Sequence, residues 1–479
     1  MGQGPYESAV VGAGHNGLAA AICLAKAGKS VVVYEASESV GGGARTEQLT
    51  IPGFLHDTCS AIHPMAAGSF FMKELALEQF GLEWVHPDTP LAHPLVGSRT
   101  AFLEKSLEQT ASALGEDGNA WTRRFAPFVA SSKTFFEHTL RSPLSIPSSP
   151  ILMARFAPLA LKSTNRLANS FKSDQARALF AGNAAHAGTP LSHLLTGAVG
   201  AALIVAAHTV GWPFPKGGAG NLTLALARYF ESLGGTIQTG SQVTSLAELP
   251  SARATLMAIT HGQVAALDDT GLPESFLRRL KRWRYGPGAF KVDWALDGPI
   301  PWEDPAVARA ATVHVGGTLE EIAASELQPW SGRLSERPFV LLAQHTLFDR
   351  SRAPEGKHTA WGYCHVPNGW EGDATPAIEA QIERFAPGFQ ERILSRSSWG
   401  PKRLERWDGN LVGGDVNGGA LTISQTLGPA RWSLPGYRTP KAGLYLCSAS
   451  TPPGGGVHGM AGFHGARCAL RHTFGIRLS

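Results

Sequence analysis

Three regularly spaced glycines lie between a predicted strand and a predicted helix early in the sequence. The apolar run at 9–11 leads into Gly12, Gly14 and Gly17, and an alanine-rich segment over 18–27 follows. In this arrangement the first glycine permits a tight turn, the second lets the backbone approach a pyrophosphate, and the third allows close helix–strand packing. The first amides of the helix then point at a phosphate anion. We therefore predict a dinucleotide-binding turn, with a tight turn that binds no ligand as the alternative.

An acidic residue stands at the end of the next predicted strand. The run over 30–35 is mostly apolar and ends at Glu35, at the distance from the glycines that such a turn requires. A carboxylate in this position accepts hydrogen bonds from a ribose diol. We therefore predict that Glu35 and the following Ala36 bind the ribose of the dinucleotide.

A second glycine group distinguishes between the dinucleotides. The glycines at 41–43 are followed by Arg45 and then by the segment 53–58. A nicotinamide enzyme needs no second glycine pair after the ribose-binding acid. An enclosed FAD does, because its longer pyrophosphate–ribityl arm is held from both sides. The pattern favours FAD, and a flexible surface loop is the alternative interpretation.

The residues Val40-Gly-Gly-Gly-Ala-Arg-Thr46 resemble the signature Val-Gly-Gly-x-x-x-Thr of the flavin-dependent amine oxidase and phytoene desaturase superfamily. The resemblance implies an α/β fold with a discontinuous Rossmann-type FAD-binding domain, a substrate domain with an antiparallel sheet, and a helical subdomain. It also implies that Arg45 lies near the pyrophosphate or the flavin. The segment 53–58, which includes Asp57 and Thr58, is then expected beneath the ring system.

A strand, a glycine-rich loop and a helix of small residues follow one another late in the sequence. The predicted strand covers 442–450, the loop Thr451-Pro-Pro-Gly-Gly-Gly-Val-His-Gly-Met460 follows, and the helix covers 461–470. Phytoene desaturase-like proteins carry a similar strand, loop and helix, whose amide end faces the ribityl chain and the pyrimidine. This resemblance predicts the following FAD neighbours: Ser448, Gly456, Val457, Gly459 and Met460. Since both glycine-rich segments must reach one cofactor, the FAD-binding domain is expected to be discontinuous.

A third marker of the family lies in the middle of the chain. The segment Gly211-Trp-Pro-Phe-Pro-Lys-Gly-Gly-Ala-Gly220 precedes a predicted helix over 221–233 and a predicted strand over 242–246. In the family a similar loop and helix lead to the strand that covers the adenine, so the resemblance implies a backbone contact from Val243. The hairpin after this strand is shorter than in the family and leaves the local register open.

Strand-like runs predict a sheet in the later part of the chain. In the run over 289–296, alternation places Phe290, Val292 and Trp294 on one face and Lys291 and Asp293 on the other. We interpret this region as an antiparallel sheet that forms one wall of the substrate pocket.

Two further segments narrow the resemblance to one branch of the superfamily. Phe290-Lys-Val-Asp-Trp-Ala-Leu-Asp297 and Thr359-Ala-Trp-Gly-Tyr-Cys-His-Val-Pro367 resemble the phytoene dehydrogenase-related oxidoreductases that include pyridine nucleotide-disulphide oxidoreductase domain-containing protein 2. The resulting domain expectation assigns 1–75, 206–285 and 436–479 to the FAD-binding domain. A helical substrate or lid subdomain is expected over 76–205, and the substrate domain over 286–435.

Composition restricts the compartment and the partners. The five cysteines show neither metal-type nor redox-motif spacing, which favours a reducing compartment, argues against a disulphide reductase and predicts no metal site. The net charge of +4 is small, and the densest basic stretch, 278–284, is interpreted as the solvated face of a helix, so no nucleic-acid partner is expected. No signal peptide fits before the first strand, which predicts a cytoplasmic protein.

Two apolar runs, 150–161 and 194–207, raise the question of membrane contact. Neither reaches the roughly 20 apolar residues that span a bilayer. The second is interpreted as a buried core helix. For the first, a lid or a segment that dips into a membrane surface is an alternative to plain core, because family members that act on lipids have such a segment. Peripheral membrane contact and a homo-oligomeric state are both left open.

The family resemblance implies a function. We predict an FAD-dependent oxidoreductase that dehydrogenates a hydrophobic small molecule by hydride transfer to flavin N5, with oxygen or a quinone as electron acceptor. A catalytic base would take the accompanying proton, and His458 is the candidate because its loop is expected to face the flavin. The alternatives are an oxygen-dependent amine oxidase and a flavin-stabilised protein that binds a partner without turnover. Amine oxidases hold the substrate nitrogen between aromatic rings and commonly place a lysine by N5.

The sequence thus gives a defined set of candidate site residues, with His458 as the one catalytic residue. The predicted FAD-binding residues are Gly12, Ala13, Gly14, His15, Asn16, Gly17, Glu35, Ala36, Gly42, Gly43, Ala44, Arg45, Thr46, Asp57, Thr58, Val243, Ser448, Gly456, Val457, Gly459 and Met460.

Overall fold

The structure is a computed structural model that describes residues 6–97, 99–433 and 435–477. Its strands are β1 (Ser8–Val11), β2 (Val31–Tyr34), β3 (Thr46–Glu47), β4 (His56–Asp57), β5 (Trp84–Val85), β6 (Thr89–His93), β7 (Ala101–Leu103), β8 (Phe214–Pro215), β9 (Thr236–Gln238), β10 (Ala254–Met257), β11 (Gly288–Leu296), β12 (Ala310–Val315), β13 (Val340–Ala343), β14 (His358–Val366), β15 (Ile393–Trp399) and β16 (Leu444–Leu446).

Helices connect and cover these strands. They are α1 (His15–Lys26), α2 (Pro64–Gly68), α3 (Phe70–Lys73), α4 (Leu107–Ala113), α5 (Gly118–Ala130), α6 (Ser132–Thr139), α7 (Pro150–Ala160), α8 (Thr164–Ala168), α9 (Asp174–Ala185), α10 (Thr196–Ala207), α11 (Gly220–Ser232), α12 (His261–Ala266), α13 (Glu274–Lys281), α14 (Leu319–Leu327), α15 (Thr375–Glu383), α16 (Pro401–Trp407), α17 (Ile423–Trp432) and α18 (Met460–Thr473).

A five-stranded parallel sheet brings together distant parts of the chain. Its strand order is β16-β10-β1-β2-β9, and every neighbouring pair is parallel. The residues of β1 are all buried, as expected for a parallel strand that is covered on both faces. The α/β class predicted from the sequence is confirmed.

Two helices that follow strands of this sheet pack directly against each other. Helix α1 follows β1, and α18 follows β16, so both helices begin at the carboxyl edge of the parallel strands. A methyl group placed on Gly462 of α18 would lie 1.8 Å from the backbone oxygen of Asn16 in α1. The absence of a side chain at Gly462 therefore allows the two helices to touch through their backbones.

The second large sheet has seven strands in the order β15-β11-β14-β13-β12-β6-β7. Its pairs are antiparallel except for the parallel pair of β12 and β6. In β11 the predicted alternation is confirmed, since Phe290, Val292 and Trp294 share one apolar cluster while Lys291 pairs with Asp293.

The segment 76–205, expected to be mainly helical, also contains β5, β6 and β7, and the last two belong to the seven-stranded sheet. Local sequence gives little signal for them, because β6 is short, contains Pro90 and pairs with a strand more than 200 residues away. Helix α10 in this segment is largely buried, whereas α7 exposes Ile151. Within the described ranges, no helix combines the length and the apolar character needed to cross a membrane.

The prediction of a strand over 242–246 was wrong, because the structure describes no strand in these residues. Ser245 forms only an isolated bridge with Asp268. Val243 instead packs, partly buried, against an apolar cluster that contains Val11 and Met257. The β-branched residues around Val243 fit a strand by composition, but the five-stranded sheet ends at β9 and this segment does not extend it.

Replacement of Gly462 by alanine tests the contact between α1 and α18. Gly462→Ala is expected to lower the free energy of unfolding by about 3 kcal/mol, because the added methyl group has no space beside the Asn16 carbonyl. Denaturant unfolding measures the change. The matched control is Gly286→Ala, where the nearest atom lies at an ordinary 3.6 Å, and its effect should stay within about 0.5 kcal/mol. Equal effects of the two substitutions would contradict the packing argument.

Candidate functional site

A cavity of about 440 Å³ lies between the parallel sheet's glycine loops and the seven-stranded sheet. Its volume is in the range of small-molecule and cofactor sites. Three glycine-rich segments that are far apart in the sequence meet at its wall. The predicted site residues that line the cavity are Gly14, His15, Asn16, Gly17, Gly42, Gly43, Ser448, Gly456, Val457 and His458.

The first two glycine segments lie against each other through their backbones. Gly14 and Gly41 form an isolated parallel bridge, and the Gly41 amide donates to the Ala13 oxygen at 3.0 Å. A methyl group on Gly42 would lie 3.1 Å from the Gly14 α-carbon. Helix α1 begins here without a side chain that caps its first amides. Such uncapped amides at a helix N-terminus attract a phosphate anion.

Glu35 is buried beside this turn. One carboxylate oxygen accepts from the Ala13 amide at 2.7 Å, and the other accepts from the Ser37 amide at 3.0 Å. Each oxygen of an ionised carboxylate has a further acceptor site. Glu35 therefore holds the glycine turn and retains the capacity to accept hydrogen bonds from a ribose diol.

Several buried polar atoms around the cavity have no partner among the described residues. Those near the glycine loops include Nε2 of His15, Oδ1 of Asn16 and Nε of Arg45. Arg45 is held in place because it donates to Ser37 Oγ at 2.8 Å and lies 4.7 Å from the Trp407 ring. Buried polar groups in native proteins are nearly always hydrogen-bonded, so these atoms indicate that a polar ligand completes the site. The uncapped N-terminus of α1 and the Arg45 guanidinium fit the phosphates of FAD, and the buried Glu35 carboxylate fits its ribose.

Other predicted cofactor residues lie outside the lining of this cavity. Those that do not line it are Gly12, Ala13, Glu35, Ala36, Ala44, Arg45, Thr46, Asp57, Thr58, Val243, Gly459 and Met460. Glu35 and Arg45 are linked to its glycine turn by the contacts given above, whereas Val243 belongs to the separate apolar cluster described with the fold.

The structure gives Asp57 a role different from the expected contact beneath the flavin. Its buried carboxylate accepts from Arg352 Nη1 at 2.6 Å, from the Ala219 amide at 2.7 Å and from Thr46 Oγ1 at 2.9 Å. Burial alone would raise the pKa of Asp57, but Arg352 and His345 outweigh it and lower that pKa to about 2. Asp57 thus ties together three segments that carry the cavity. Motif resemblance identified the position but did not reveal these partners.

His458, the predicted catalytic base, lines the cavity but serves the start of α18. Its Nδ1 accepts from the Met460 amide at 3.0 Å, and its backbone oxygen accepts from Ser69 Oγ at 2.9 Å. Burial, with His15 nearby, lowers the pKa of His458 to about 3. A base needs a free acceptor nitrogen and a pKa near the working pH. These features describe a helix-capping side chain, so we assign His458 no proton transfer.

Lys291 lines the cavity but was not among the predicted site residues, since the sequence argument only placed it on one face of a strand. It is buried in β11 and is the only lysine or arginine among the described residues that line the cavity. Its ammonium donates to Asp293 Oδ2 at 2.6 Å and to the Asp57 backbone oxygen at 3.1 Å. Burial raises the pKa of Asp293 to about 6, against the opposing effect of Lys291. Two charged residues within an otherwise apolar strand were the available signal.

The part of the cavity away from the glycines has an apolar wall. It is contributed by α2, α10, β13 and β14 through Met65, Val199, Leu203, Leu341, Trp361 and Tyr363, and by the neighbouring residues Ile62 before α2 and Leu140 after α6. The rings of Trp361 and Tyr363 are 5.3 Å apart between centroids at an interplanar angle of 67°. They form an edge-to-face pair and not two parallel plates.

Two further histidines line the cavity, and both are held neutral. Burial lowers the pKa of His63 to about 4 and that of His186 to about 3. The two Nε2 atoms of His186 and His314 are 3.0 Å apart, so one donates and the other accepts. Within the part of the chain that is described, no group of three or more His, Cys, Asp or Glu side chains is arranged to hold a metal ion.

Asp57→Asn tests the ion pair with Arg352. The substitution leaves the buried guanidinium with only Asp349 as a carboxylate partner, at 3.2 Å, and is expected to lower the free energy of unfolding at pH 7 by about 3 kcal/mol. Because the folded pKa of Asp57 is depressed, its stabilisation is present above pH 4 and is lost as the pH falls towards 2.

Denaturant unfolding at pH 7, 4 and 3 measures both effects. The loss of stability below pH 4 should be smaller in Asp57→Asn than in the unsubstituted protein. The control is Glu83→Gln, which breaks the exposed pair with Lys216 and should change stability by less than about 1 kcal/mol. A pH dependence identical to that of the unsubstituted protein would contradict the assignment.

Glu35→Ala tests the ribose-binding assignment. Loss of charged hydrogen bonds worth about 1.5–3 kcal/mol is expected to weaken FAD retention roughly 10- to 150-fold while most of the fold remains. Flavin absorbance per protein after dialysis, together with FAD titration of the stripped protein, measures the change. The exposed Glu38, substituted by alanine, is the control and should keep its flavin. Equal flavin content in the two variants would contradict the role of Glu35.

Solved structures of similar shape share this fold. A putrescine oxidase bound to putrescine covers 97% of this chain and 98% of its own, with a TM-score of 0.63 and 17% identity. An oxidoreductase from Methanosarcina mazei covers 97% of this chain and 99% of its own, with a TM-score of 0.62 and 18% identity. At these identities the likeness supports the fold alone.

Curated relatives and a family description match at the level of sequence. Pyridine nucleotide-disulfide oxidoreductase domain-containing protein 2 of Rattus norvegicus is 26% identical over 97% of this chain and 93% of its own length. Phytoene dehydrogenase of Streptomyces griseus is 26% identical over 91% of this chain and 84% of its own length. The family described as flavin containing amine oxidoreductase matches residues 17–380, which is more than half of the chain. With the site geometry above, the chain belongs to this family of flavin-containing oxidoreductases, and its cofactor is FAD.

Proposed function

We propose that this protein is an FAD-dependent dehydrogenase of the desaturase type that acts on a hydrophobic small molecule. The observation that carries the proposal is the apolar wall formed by α2, α10, β13 and β14, which continues directly from the glycine-lined part of the same cavity. An apolar substrate is stabilised there by burial of its surface, at about 25 cal/mol per Å² removed from water.

FAD supplies a two-electron acceptor when it is bound, and the protein binds and orients the substrate. The glycine turn, Glu35 and Arg45 would hold the phosphate and ribose part, as their contacts above indicate. The apolar side chains would exclude water and keep a substrate carbon in place. Correct placement of reacting groups lowers a barrier by several kcal/mol, on the order of 7–11 in the best intramolecular models.

The Lys291–Asp293 pair is one group at this cavity that is suited to hold a proton, beside the carboxylates Asp408 and Asp415, which line the cavity and whose pKa values are also raised by burial. Asp293 has a pKa of about 6, raised by burial, which is near the working pH of a general base. Lys291 stands between Asp293 and the cavity, because its ammonium donates to Asp293 Oδ2 while the residue lines the wall. We assign the pair the removal of the proton that a dehydrogenation releases. The Lys291 ammonium would pass a proton to the Asp293 carboxylate, and the resulting amine would take the substrate proton, so that Lys291 ends as an ammonium and Asp293 holds the released proton.

An oxygen-using amine oxidase is the second candidate, and Lys291 is the observation that favours it. Family amine oxidases commonly place a lysine beside the flavin. The aromatic pair argues in the other direction, because Trp361 and Tyr363 meet at 67° and do not form parallel plates around a substrate nitrogen. The carboxylates that line the cavity in the described structure, Asp408 and Asp415, lie outside the apolar wall elements α2, α10, β13 and β14.

Reoxidation of the photoreduced protein distinguishes the candidates. The flavin is reduced by light without oxygen and then mixed with oxygen, a quinone or NADP⁺ in a stopped-flow instrument. The proposal expects the quinone to reoxidise the flavin faster than oxygen does. Fast reoxidation by oxygen would favour the amine oxidase, and no response to any acceptor would indicate a protein that binds FAD without turnover. Either of these two results would overturn the proposal.

Lys291→Met tests whether the buried ammonium serves an oxygen reaction. In an oxidase a cation beside developing negative charge is worth about 100-fold in rate, so its removal would slow reoxidation by oxygen by about that factor. Our proposal expects only a small change in the rate at which oxygen reoxidises the flavin of Lys291→Met, and an unchanged flavin content. Lys357→Met is the control, because Lys357 forms an exposed pair with Asp297 just beyond the same strand. The double variant Lys291→Met/Asp293→Asn guards against misfolding, since it leaves no unpaired buried carboxylate.

A further inference from the structure

A second cavity, of about 380 Å³, lies away from the site described above. It is formed by the C-terminal half of α18, the loop 141–145 and the segment 435–437. Among the described residues its lining and that of the first cavity have no member in common. The two cavities are therefore distinct sites, and the inference below does not rest on the function proposed for the FAD site.

The second cavity is strongly basic. Arg141, Arg467, Arg471 and Arg477 line it, and the described lining residues include no carboxylate. Arg467 and Arg471 lie on one stripe of α18, because residues four apart in a helix are neighbours. Like charges in one concave space repel each other and focus a positive potential, which an anion relieves.

Local contacts hold two of these guanidinium groups in place. Arg141 donates to the Ile146 backbone oxygen at 2.9 Å and also contacts His138 Nδ1. Arg467 lies 5.5 Å from the Phe463 ring centroid. Burial, together with Arg438 and Arg471, lowers the pKa of the neighbouring His472. The positive potential is therefore a property of the surrounding arginines and is not shared by a charged histidine.

Two buried hydroxyl groups in the lining lack a hydrogen-bond partner among the described residues. Ser142 and Tyr437 are 2% and 1% exposed, and within the described structure neither Ser142 Oγ nor the Tyr437 hydroxyl has a partner. Burial raises the pKa of Tyr437, so its hydroxyl stays protonated and remains a donor. The Tyr437 ring is stacked on His464 at 6.0 Å between centroids. Unpartnered buried donors are rare in native proteins and indicate a missing acceptor.

We propose that this cavity binds a phosphate-bearing ligand. Guanidinium groups bind phosphate oxygens through paired hydrogen bonds, and hydroxyl donors add further contacts to the same oxygens. At about 380 Å³ the cavity is larger than a single phosphate needs, so it also accommodates part of the group that carries the phosphate. The shared chemistry is a phosphate ester or a diphosphate.

Such a group has two sources, a soluble phosphorylated molecule or a phospholipid headgroup. Exposed apolar side chains follow Arg141 in the sequence, with Ile146 at 90% and Ile151 at 73% exposed. They give a reason to include lipid vesicles in the test. Inorganic pyrophosphate is the soluble probe, and phosphatidylglycerol vesicles, compared with phosphatidylcholine vesicles, are the lipid probe.

The experiment compares the FAD-loaded protein with Arg471→Ala/Arg477→Ala. Calorimetry measures pyrophosphate binding, and flotation measures vesicle binding. Loss of two charge-assisted contacts is expected to weaken binding about tenfold or more. The control Arg279→Ala/Arg282→Ala removes the same charge from the exposed basic stretch of α13 and should leave binding unchanged. Flavin content and thermal unfolding verify that each variant is folded.

Each outcome decides the proposal. If only pyrophosphate binds, and binding is lost in the cavity variant, the proposal holds and the ligand is a soluble phosphorylated molecule. If only phosphatidylglycerol vesicles bind in this way, the ligand is a lipid headgroup. If both bind, the cavity recognises the phosphate chemistry that the two share. The proposal is overturned if neither probe binds, or if the two double variants weaken binding equally.

Tyr437→Phe adds a readout that a structural role would not give. It should weaken binding while the stability without probe is kept or increased, because an unpaired buried hydroxyl is removed. Unchanged binding in this variant would count against the proposal.

Discussion

The backbone contact between α1 and α18 is the constraint on which the FAD site depends. Gly462 allows α18 to approach the Asn16 carbonyl of α1, and parallel pairing of β16, β10 and β1 sets the two helices side by side. Both helices therefore begin at one edge of the sheet, where the loops before them reach a common cavity. A larger side chain at this contact would move apart the glycine loops that precede α1 and α18, although the sequence of each loop would be unchanged.

Buried ion pairs join this cofactor region to the seven-stranded sheet. Asp57 accepts from Arg352, and its backbone oxygen accepts from Lys291, which is in turn paired with Asp293. Breaking such a pair is costly because one charge remains buried without compensation. The network therefore fixes the position of the lysine relative to the glycine loops. The charged side chains that hold the two sheets together are therefore also the ones that position Lys291 at the cavity.

Sequence patterns predicted the features that depend on local spacing. The glycine turn, Glu35 beside it and the alternation in β11 were predicted, because each is set by turn geometry or by strand period within a few residues. The patterns did not reveal the partners of Asp57 or the capping role of His458, since these arise from residues that are distant in the chain or from a specific backbone conformation. For the same reason β6 and β7 were missed, whereas 242–246 was interpreted as a strand although its pairing is limited to an isolated bridge between Ser245 and Asp268.

The sequence by itself determined the α/β class, the family resemblance and the need for FAD, because glycines at fixed spacing have a local steric cause. Only the tertiary structure decided which charged side chains meet. Lys291, paired with Asp293, lines one cavity, and two arginines of α18 line a second one together with Arg141 and Arg477, because the chain folds distant segments against each other. Contacts of this kind follow from packing in three dimensions, and neither composition nor periodicity along the chain specifies them.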